Sequence, residues 1–295
     1  MSNVKAPATT MSHDVPSFLR RIVDHKQEEV RAARVARPME ALRELISELG
    51  PPRNFFGALT RVAKGASPLT DSAIIAEVKR KSPSAGWIRP EYARDDFDPV
   101  AIARQYHAAG ARAISCLTDQ QFFAGQLEYI HAIRDAVPLP VLRKDFIIDP
   151  YQVWESRAFG ADAILLIAEC LRESEIVDLM ILAHELQLTV LLEVHSMDNL
   201  LRVRPHVGFP KASYTLLGIN NRDLNQMTTD LNHTLRLVDL VDDRRVLVSE
   251  SGIRTAEDLR RLRASGVRIA LIGEHLMRQE SPGDALRALL NGAPN

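Results

Sequence analysis

Val141-Leu-Arg-Lys-Asp-Phe146 begins as an apolar strand and ends on charge. A strand that finishes on a lysine is unusual unless that end faces a site. Lys144 is followed by Asp149-Pro150, an N-cap residue with proline at the first helical position. The unit reads strand, short loop, helix, with a cation presented where the strand stops.

The same layout recurs along the chain. Strand-like apolar runs are read at Ala73–Lys79, Ala113–Leu117, Val141–Lys144, Ala163–Ala168, Thr189–Val194, Thr215–Ile219, Val246–Ser249 and Ile269–Ile272. Each precedes a helix candidate. Asp98-Pro99 opens one helix and Gly110 closes it, Thr255 with Asp258 resembles a capping box, and Ser281-Pro282 opens the last helix. Strands buried on both faces read as continuous apolar runs, and their alternation with helices implies right-handed βαβ crossovers. Eight such units in roughly 225 residues predict an α/β fold, the closed (β/α)8 TIM barrel, which typically takes ~250 residues. An open doubly wound sheet is the alternative. It usually has fewer strands, and no G-x-G-x-x-G follows the first strand.

Residues 70–295 therefore read as the barrel. Residues 17–69 read as an N-terminal helical extension, with Phe18, Leu19, Ile22, Val23 and Val30 on one side. A second helix carries Leu42, Leu45, Ile46 and Leu49 and stops at Gly50-Pro51-Pro52; a short helical piece over Phe55 to Val62 follows. Residues 1–16 are polar, lack an apolar signal core and read as a flexible tail. The net charge of −1 argues against nucleic acid as a partner. No apolar run approaches the roughly 20 residues of a membrane span. Cys116 and Cys170 lack metal-ligand spacing and fit a reducing cytoplasm.

In such barrels the active site lies at the C-terminal ends of the strands. Those ends carry Glu77 and Lys79 on one face, Lys144, Glu193 followed by His195, Asn220-Asn221-Arg222, Ser249-Glu250-Ser251-Gly252, and Gly273-Glu274. Taken singly, each has a plainer reading. Glu77 with Lys79 fits an ion pair closing the barrel, Lys144 a solvated strand end, His195 a loop-positioning residue, and Asn221 and Arg222 loop fixation. Glu193 resists this, because burying an unpaired carboxylate among apolar neighbours costs several kcal/mol. Two lysines and several carboxylates at one barrel mouth are harder to assign to chance than any one of them. Ser251-Gly252 and Gly273-Glu274 place small residues after strands 7 and 8, where these barrels commonly bind phosphate. The expected ligand is a phosphorylated small molecule.

At these residues the chain resembles the indole-3-glycerol phosphate synthase family of the tryptophan pathway. The resemblance runs from about Phe18 to Leu290. It is carried by six blocks in order: Ile75-Ala-Glu-Val-Lys-Arg-Lys-Ser-Pro-Ser84, Leu142-Arg-Lys-Asp-Phe-Ile-Ile-Asp-Pro150, Leu192-Glu-Val-His195, Gly218-Ile-Asn-Asn-Arg-Asp-Leu224, Ser249-Glu-Ser-Gly-Ile253 and Leu271-Ile-Gly-Glu274.

The resemblance implies a carbon–carbon lyase that needs no metal or redox cofactor. Its substrate would be 1-(2-carboxyphenylamino)-1-deoxyribulose 5-phosphate, closed to an indole with loss of carbon dioxide and water. It implies Lys144 as general acid, with a pKa drawn down towards working pH, and Glu193 as base in the dehydration, with a raised pKa. Lys79 would lie between phosphate and carboxylate, Glu77 would pair with the lysines and bind substrate hydroxyls, and Asn220 would orient the substrate. Lys81, Ser84, Arg222 and Glu250 would support the site, and Ser251, Gly252, Gly273 and Glu274 would cradle the phosphate. The helices of the N-terminal extension would pack over the barrel mouth. Other tryptophan-pathway enzymes are the macromolecular partners to consider.

Three departures from the family pattern stand out: Ala85 before Gly86 in the first βα loop, His275 beside the phosphate site, and a longer connection from Val203 to Tyr214. Two other functions compete. The neighbouring pathway isomerase would need a cysteine–aspartate acid/base pair, and strand 1 offers Glu77 and Lys79 instead. A silent barrel acting as an assembly module would be expected to lack Lys144 or Glu193, and both are present.

Overall fold

Val, Ile, Leu and Ala fill eight short segments whose side chains are buried on both faces, and these close into a barrel. The computed structural model describes residues 16–65, 67, 71–94, 97–207, 214–224 and 226–292. In chain order the barrel strands are β1 (Ala73–Val78), β2 (Ala113–Leu117), β3 (Val141–Lys144), β4 (Ala163–Ile167), β5 (Thr189–Val194), β6 (Thr215–Asn220), β7 (Leu247–Glu250) and β8 (Ile269–Ile272). Every neighbouring pair is parallel, and β1 pairs with both β2 and β8, which closes the cylinder. The closed barrel replaces the open-sheet alternative.

Four strands keep the bounds expected from sequence. The others shift by a residue at their ends. β6 gains Asn220, and β7 runs Leu247–Glu250 because Arg244–Val246 forms a tight helical turn first. A small hairpin, Lys81–Ser82 with Gly86–Trp87, was not anticipated; it folds the first βα loop back on itself. The caps behave as expected. Asp149 accepts from Tyr151 N, Asp98 from Val100 N and Ala101 N, and Thr255 and Asp258 form a reciprocal capping box.

Three helices precede the barrel: α1 (Ser17–Ala36), α2 (Met39–Glu48) and α3 (Phe55–Thr60). They do not share one location. Leu19, Ile22, Val23, Lys26 and Val30 recur at helical spacing and form the buried face of α1. This helix reaches the mouth, held there by Lys26. Its ammonium is fully enclosed, 2.8 Å from Glu29, 3.0 Å from Asp119 and 2.9 Å from Asp145. By contrast α2 packs Leu42 against Tyr151 and Ala158 on the barrel flank. The third helix lies under the opposite end, where Arg112 and Arg268, just before β2 and β8, donate to the carbonyls of Arg61 and Thr60. The expectation that the extension packs over the mouth thus holds for α1 and not for α2 or α3. Residues 1–15 and part of the 203–214 connection lie outside the described residues.

Candidate active site

The C-terminal ends of the strands surround a cavity of about 540 Å³. Parallel register brings the charged strand ends to one level. Glu193 on β5 is level with Gly218 on β6, and Asn220 with Glu250 on β7. Gly218 and Gly273 are what let the carboxylates in. A Cβ on Gly218 would run into Glu250 Oε1, and one on Gly273 would run into Glu77 Oε1. Gly273 has φ −126°, so its smallness makes room for Glu77 and does not serve a left-handed turn.

Lys144 stands at the centre. Its Nζ is 2.5 Å from Glu193 Oε2 and 2.8 Å from Glu250 Oε2. Beside it Lys79 Nζ is 2.5 Å from Glu77 Oε1. Burial works against the ammonium of Lys144, but Glu193, Glu250 and Glu77 outweigh it and hold its pKa above the usual lysine value. This corrects the sequence expectation of a lowered pKa. Glu193 is corrected in the same way. Desolvation opposes its ionisation, yet Lys144 and His195 hold it below the usual carboxylate range. Glu250 carries the raised pKa instead, pushed up to about 8 by desolvation and by the charge of Glu193. The two carboxylates share one cation, so they titrate as a pair and retain a proton more readily than separate carboxylates would.

His195 lies in the cavity wall between two carboxylates. Its Nδ1 is 3.1 Å from Glu169 Oε2, and its Nε2 is 3.3 Å from Glu193 Oε1. Sequence reasoning gave it a loop-positioning role and did not single out Glu169. The signal was the charge of Glu169 just past β4, level with the other strand ends.

After β7 the backbone takes two successive left-handed residues, Ser251 (φ +68°) and Gly252 (φ +81°). Ser251 has a side chain, so this conformation is strained, as is common where a backbone is shaped for a ligand. Asn221 holds the turn, donating to Ser249 Oγ and the Ser251 carbonyl and accepting from Thr234. It is the loop-fixing residue expected. Arg222 crosses the mouth and donates to Ser84 Oγ and Glu274 Oε2, both at 2.9 Å. Glu274, His275, Arg254 and Arg278 complete this charged rim. Opposite it, Phe18 and Leu19 of α1 join Phe123 and Phe146 in an apolar wall.

The cavity thus gathers Glu77, Lys79, Ser84, Lys144, Glu193, Asn220, Arg222, Glu250, Ser251, Gly252, Gly273 and Glu274. Lys81 is the exception. It sits on the hairpin with its ammonium 5.6 Å from the Trp87 ring centroid, outside the cavity lining, while the next residue, Ser82, faces in. Alternation along a strand explains this: only one of two neighbours can face the cavity. The aromatic wall from α1 was missed, because only docking of that helix shows which end meets the mouth. Among the described residues, no helix is long and apolar enough to cross a membrane.

Comparison with known proteins agrees with this geometry. The family model for indole-3-glycerol phosphate synthase matches residues 19–289. Indole-3-glycerol phosphate synthases of Acidithiobacillus ferrooxidans and Rhodospirillum rubrum are each 46% identical over 273 residues, covering 92% of this chain and 98% of the relative. That of Chromobacterium violaceum is 44% identical, covering 92% and 97%. Among solved structures, 3-hexulose-6-phosphate synthase from Salmonella typhimurium superposes with a TM-score of 0.57 at 14% identity, covering 75% of this chain and 98% of that one. That likeness concerns the barrel alone. The match along nearly the whole length places the chain in the indole-3-glycerol phosphate synthase family.

Proposed function

We propose that the chain converts 1-(2-carboxyphenylamino)-1-deoxyribulose 5-phosphate to indole-3-glycerol phosphate, carbon dioxide and water in tryptophan biosynthesis. It is a carboxy-lyase in this reading. The observation that carries it is the convergence of Lys144, Glu193, Glu250, Lys79 and Glu77 on one cavity between an apolar wall and an anion-suited rim.

The ends of the substrate suit the ends of the cavity. The backbone turn at Ser251–Gly252, the segment Gly273–Glu274 and the guanidinium of Arg222 receive the phosphate. The aryl ring lies against Phe18, Leu19, Phe123 and Phe146, and the aryl carboxylate faces Lys79. Lys144 donates its proton to the ketone oxygen as the ring carbon bearing the carboxylate attacks the carbonyl carbon. Its raised pKa keeps it protonated, the form an acid requires. Glu193, held ionised by Lys144 and His195, takes the proton released in the dehydration. Asn220 and Glu77 hold substrate hydroxyls, and Glu250 keeps the charge around Lys144 balanced. A cytoplasmic site of action, beside other tryptophan-pathway enzymes, belongs to the same reading.

The test is turnover of the carboxyphenylamino-deoxyribulose phosphate by purified protein, followed by indole fluorescence. Folded protein that is inert in that assay overturns the reading. Inorganic phosphate should compete with substrate, and its failure to do so would remove the anion from the Ser251/Gly273 rim.

A further inference from the structure

The reaction just described consumes a proton. The substrate enters as a carboxylate and loses neutral carbon dioxide, whose bonding electrons return to the ring. The ketone oxygen leaves as water and needs two protons. One comes from the methylene carbon that becomes part of the indole ring. The other must come from solvent in every turnover. Lys144 begins with a proton but, once it has given that proton away, has to be recharged.

A continuous path for recharging leaves the cavity at Lys144. Its Nζ meets Glu193 Oε2 at 2.5 Å, Glu193 Oε1 lies 3.3 Å from His195 Nε2, and His195 Nδ1 lies 3.1 Å from Glu169 Oε2. Imidazole suits the middle position, because it accepts a proton on one nitrogen while releasing another from the opposite one. The ends of the path are held in register. Glu169 Oε1 accepts from the His195 backbone N–H at 2.8 Å and from Asn199 Nδ2 at 3.0 Å. Arg202 in turn donates to Asn199 Oδ1 at 2.8 Å. His195 lines the cavity; Glu169 lies behind it, outside the cavity lining, with its side chain 9% exposed.

We propose that Glu169 and His195 form the proton inlet of the active site. Between turnovers, a proton from solvent adds to Glu169. Glu193 first hands the methylene proton it took to the departing hydroxyl. Glu169 then gives its proton to Nδ1 of the neutral His195 ring as the N–H bond at Nε2 breaks and Glu193 gains that proton. Exchange with solvent in the open cavity returns the ring to its Nε2–H form. Glu193 then passes its proton to the neutral amine of Lys144. The groups facing the ring stabilise the imidazolium through which the proton passes: Glu169 after β4, Glu193 on β5 and Glu250 on β7, against His233 on the helix Asn232–Leu237. Burial opposes the imidazolium, but these carboxylates raise its pKa.

The proposal rests on Lys144 as the acid of the preceding section. It separates the first turnover from later ones, because the first uses the proton Lys144 already holds. In His195→Asn, carbon dioxide release in a single turnover with enzyme in excess, which precedes the step that uses Glu193, should run within about threefold of the wild-type rate, while steady-state kcat falls about tenfold or more. Added imidazole should restore part of kcat. Glu169→Gln, which keeps the hydrogen bond to the His195 backbone, should show the same split and serves if His195→Asn does not fold. A first turnover that slows in step with kcat would make His195 a positioning residue only and overturn the inlet, and so would an unchanged kcat. Lys144→Met is the control for the underlying reading: it must lose the first turnover as well, and if it does not, the acid assignment itself fails.

Discussion

The two ends of the barrel both bury ionised groups, but they use different cations. At the base, beneath the N-terminal ends of the strands, the cations are arginines. Asp71 accepts from Arg112 and Arg268, each at 2.5 Å, and from Ala63 N. Asp162 accepts from Arg134, from Arg53 N and from Val141 N. Every carboxylate oxygen there has a donor. Deep in the mouth the cations nearest Glu77, Glu193 and Glu250 are lysines, and Glu250 Oε1 has no hydrogen-bond donor. Arginine stays charged under all ordinary conditions, whereas lysine can be brought to exchange a proton. One end is built so that its charges never change, and the other so that they can.

The sharpest way to break this contrast is to exchange the cations. Lys144→Arg keeps the charge but removes the exchangeable proton. A general acid contributes typically ~10²–10⁴ in rate, so kcat should fall by about that factor while the thermal midpoint hardly moves. A near-normal kcat would remove Lys144 from the acid role and make the mouth as purely structural as the base. Arg268→Lys at the base should do the reverse, leaving kcat intact and lowering stability.

Asp71→Asn attacks the base directly. It leaves Arg268 buried without its counter-charge, and breaking a buried pair in this way costs about 3–5 kcal/mol. Urea unfolding should show that loss, while kcat at low temperature stays near the wild-type value. If activity falls as steeply as stability, the two ends are not separable.

Much of this contrast was legible in the sequence. The bounds of Val141–Lys144 came from its apolar run and from the Asp149-Pro150 start that follows. Glu193 stood out because a carboxylate in an apolar strand needs a partner. What stayed hidden depends on closure of the barrel. A strand-end lysine does not reveal whether its neighbours will be apolar or acidic, so the direction of the Lys144 shift required β3, β5 and β7 to meet. Sequence reasoning does not single out Lys26, because nothing there distinguishes it from any other lysine on an amphipathic helix. Only docking against Asp119 and Asp145 makes it the anchor that brings Phe18 and Leu19 to the mouth. Lys81 lies outside the cavity lining for a local reason, because on the two-residue strand Lys81–Ser82 only one neighbour can face in, and that is Ser82.

A smaller effect tests the exchangeable proton itself. Glu250 titrates with a pKa raised to about 8, above the ordinary carboxyl value, by desolvation and by Glu193. Below that pH the Lys144, Glu193 and Glu250 cluster is neutral overall. Above it Glu250 ionises and the cluster carries one negative charge, which repels a substrate bearing phosphate and carboxylate. The kcat/KM profile, which reports the free enzyme, should therefore bend down above pH 8, by about tenfold per unit. Glu250→Gln cannot lose that proton and should flatten this limb. A limb that survives the substitution belongs to another group.

The smallest effect concerns the bridge across the mouth. Arg222 donates to Ser84 in the first βα loop and to Glu274 after β8, so one guanidinium ties two segments that flank the anion rim. Unlike the bonds at the base, the contact with Ser84 is exposed to solvent, and a single such hydrogen bond contributes about 0.5–1.5 kcal/mol. Ser84→Ala should raise KM about two- to tenfold, with kcat unchanged, because Arg222 keeps Glu274 and its own charge. A fall in kcat would mean that the loop, through Ser84, also sets the position of Lys79 at the end of β1. The mouth and its first βα loop would then be one device, and the division between a fixed base and a changeable mouth would have to include the loop.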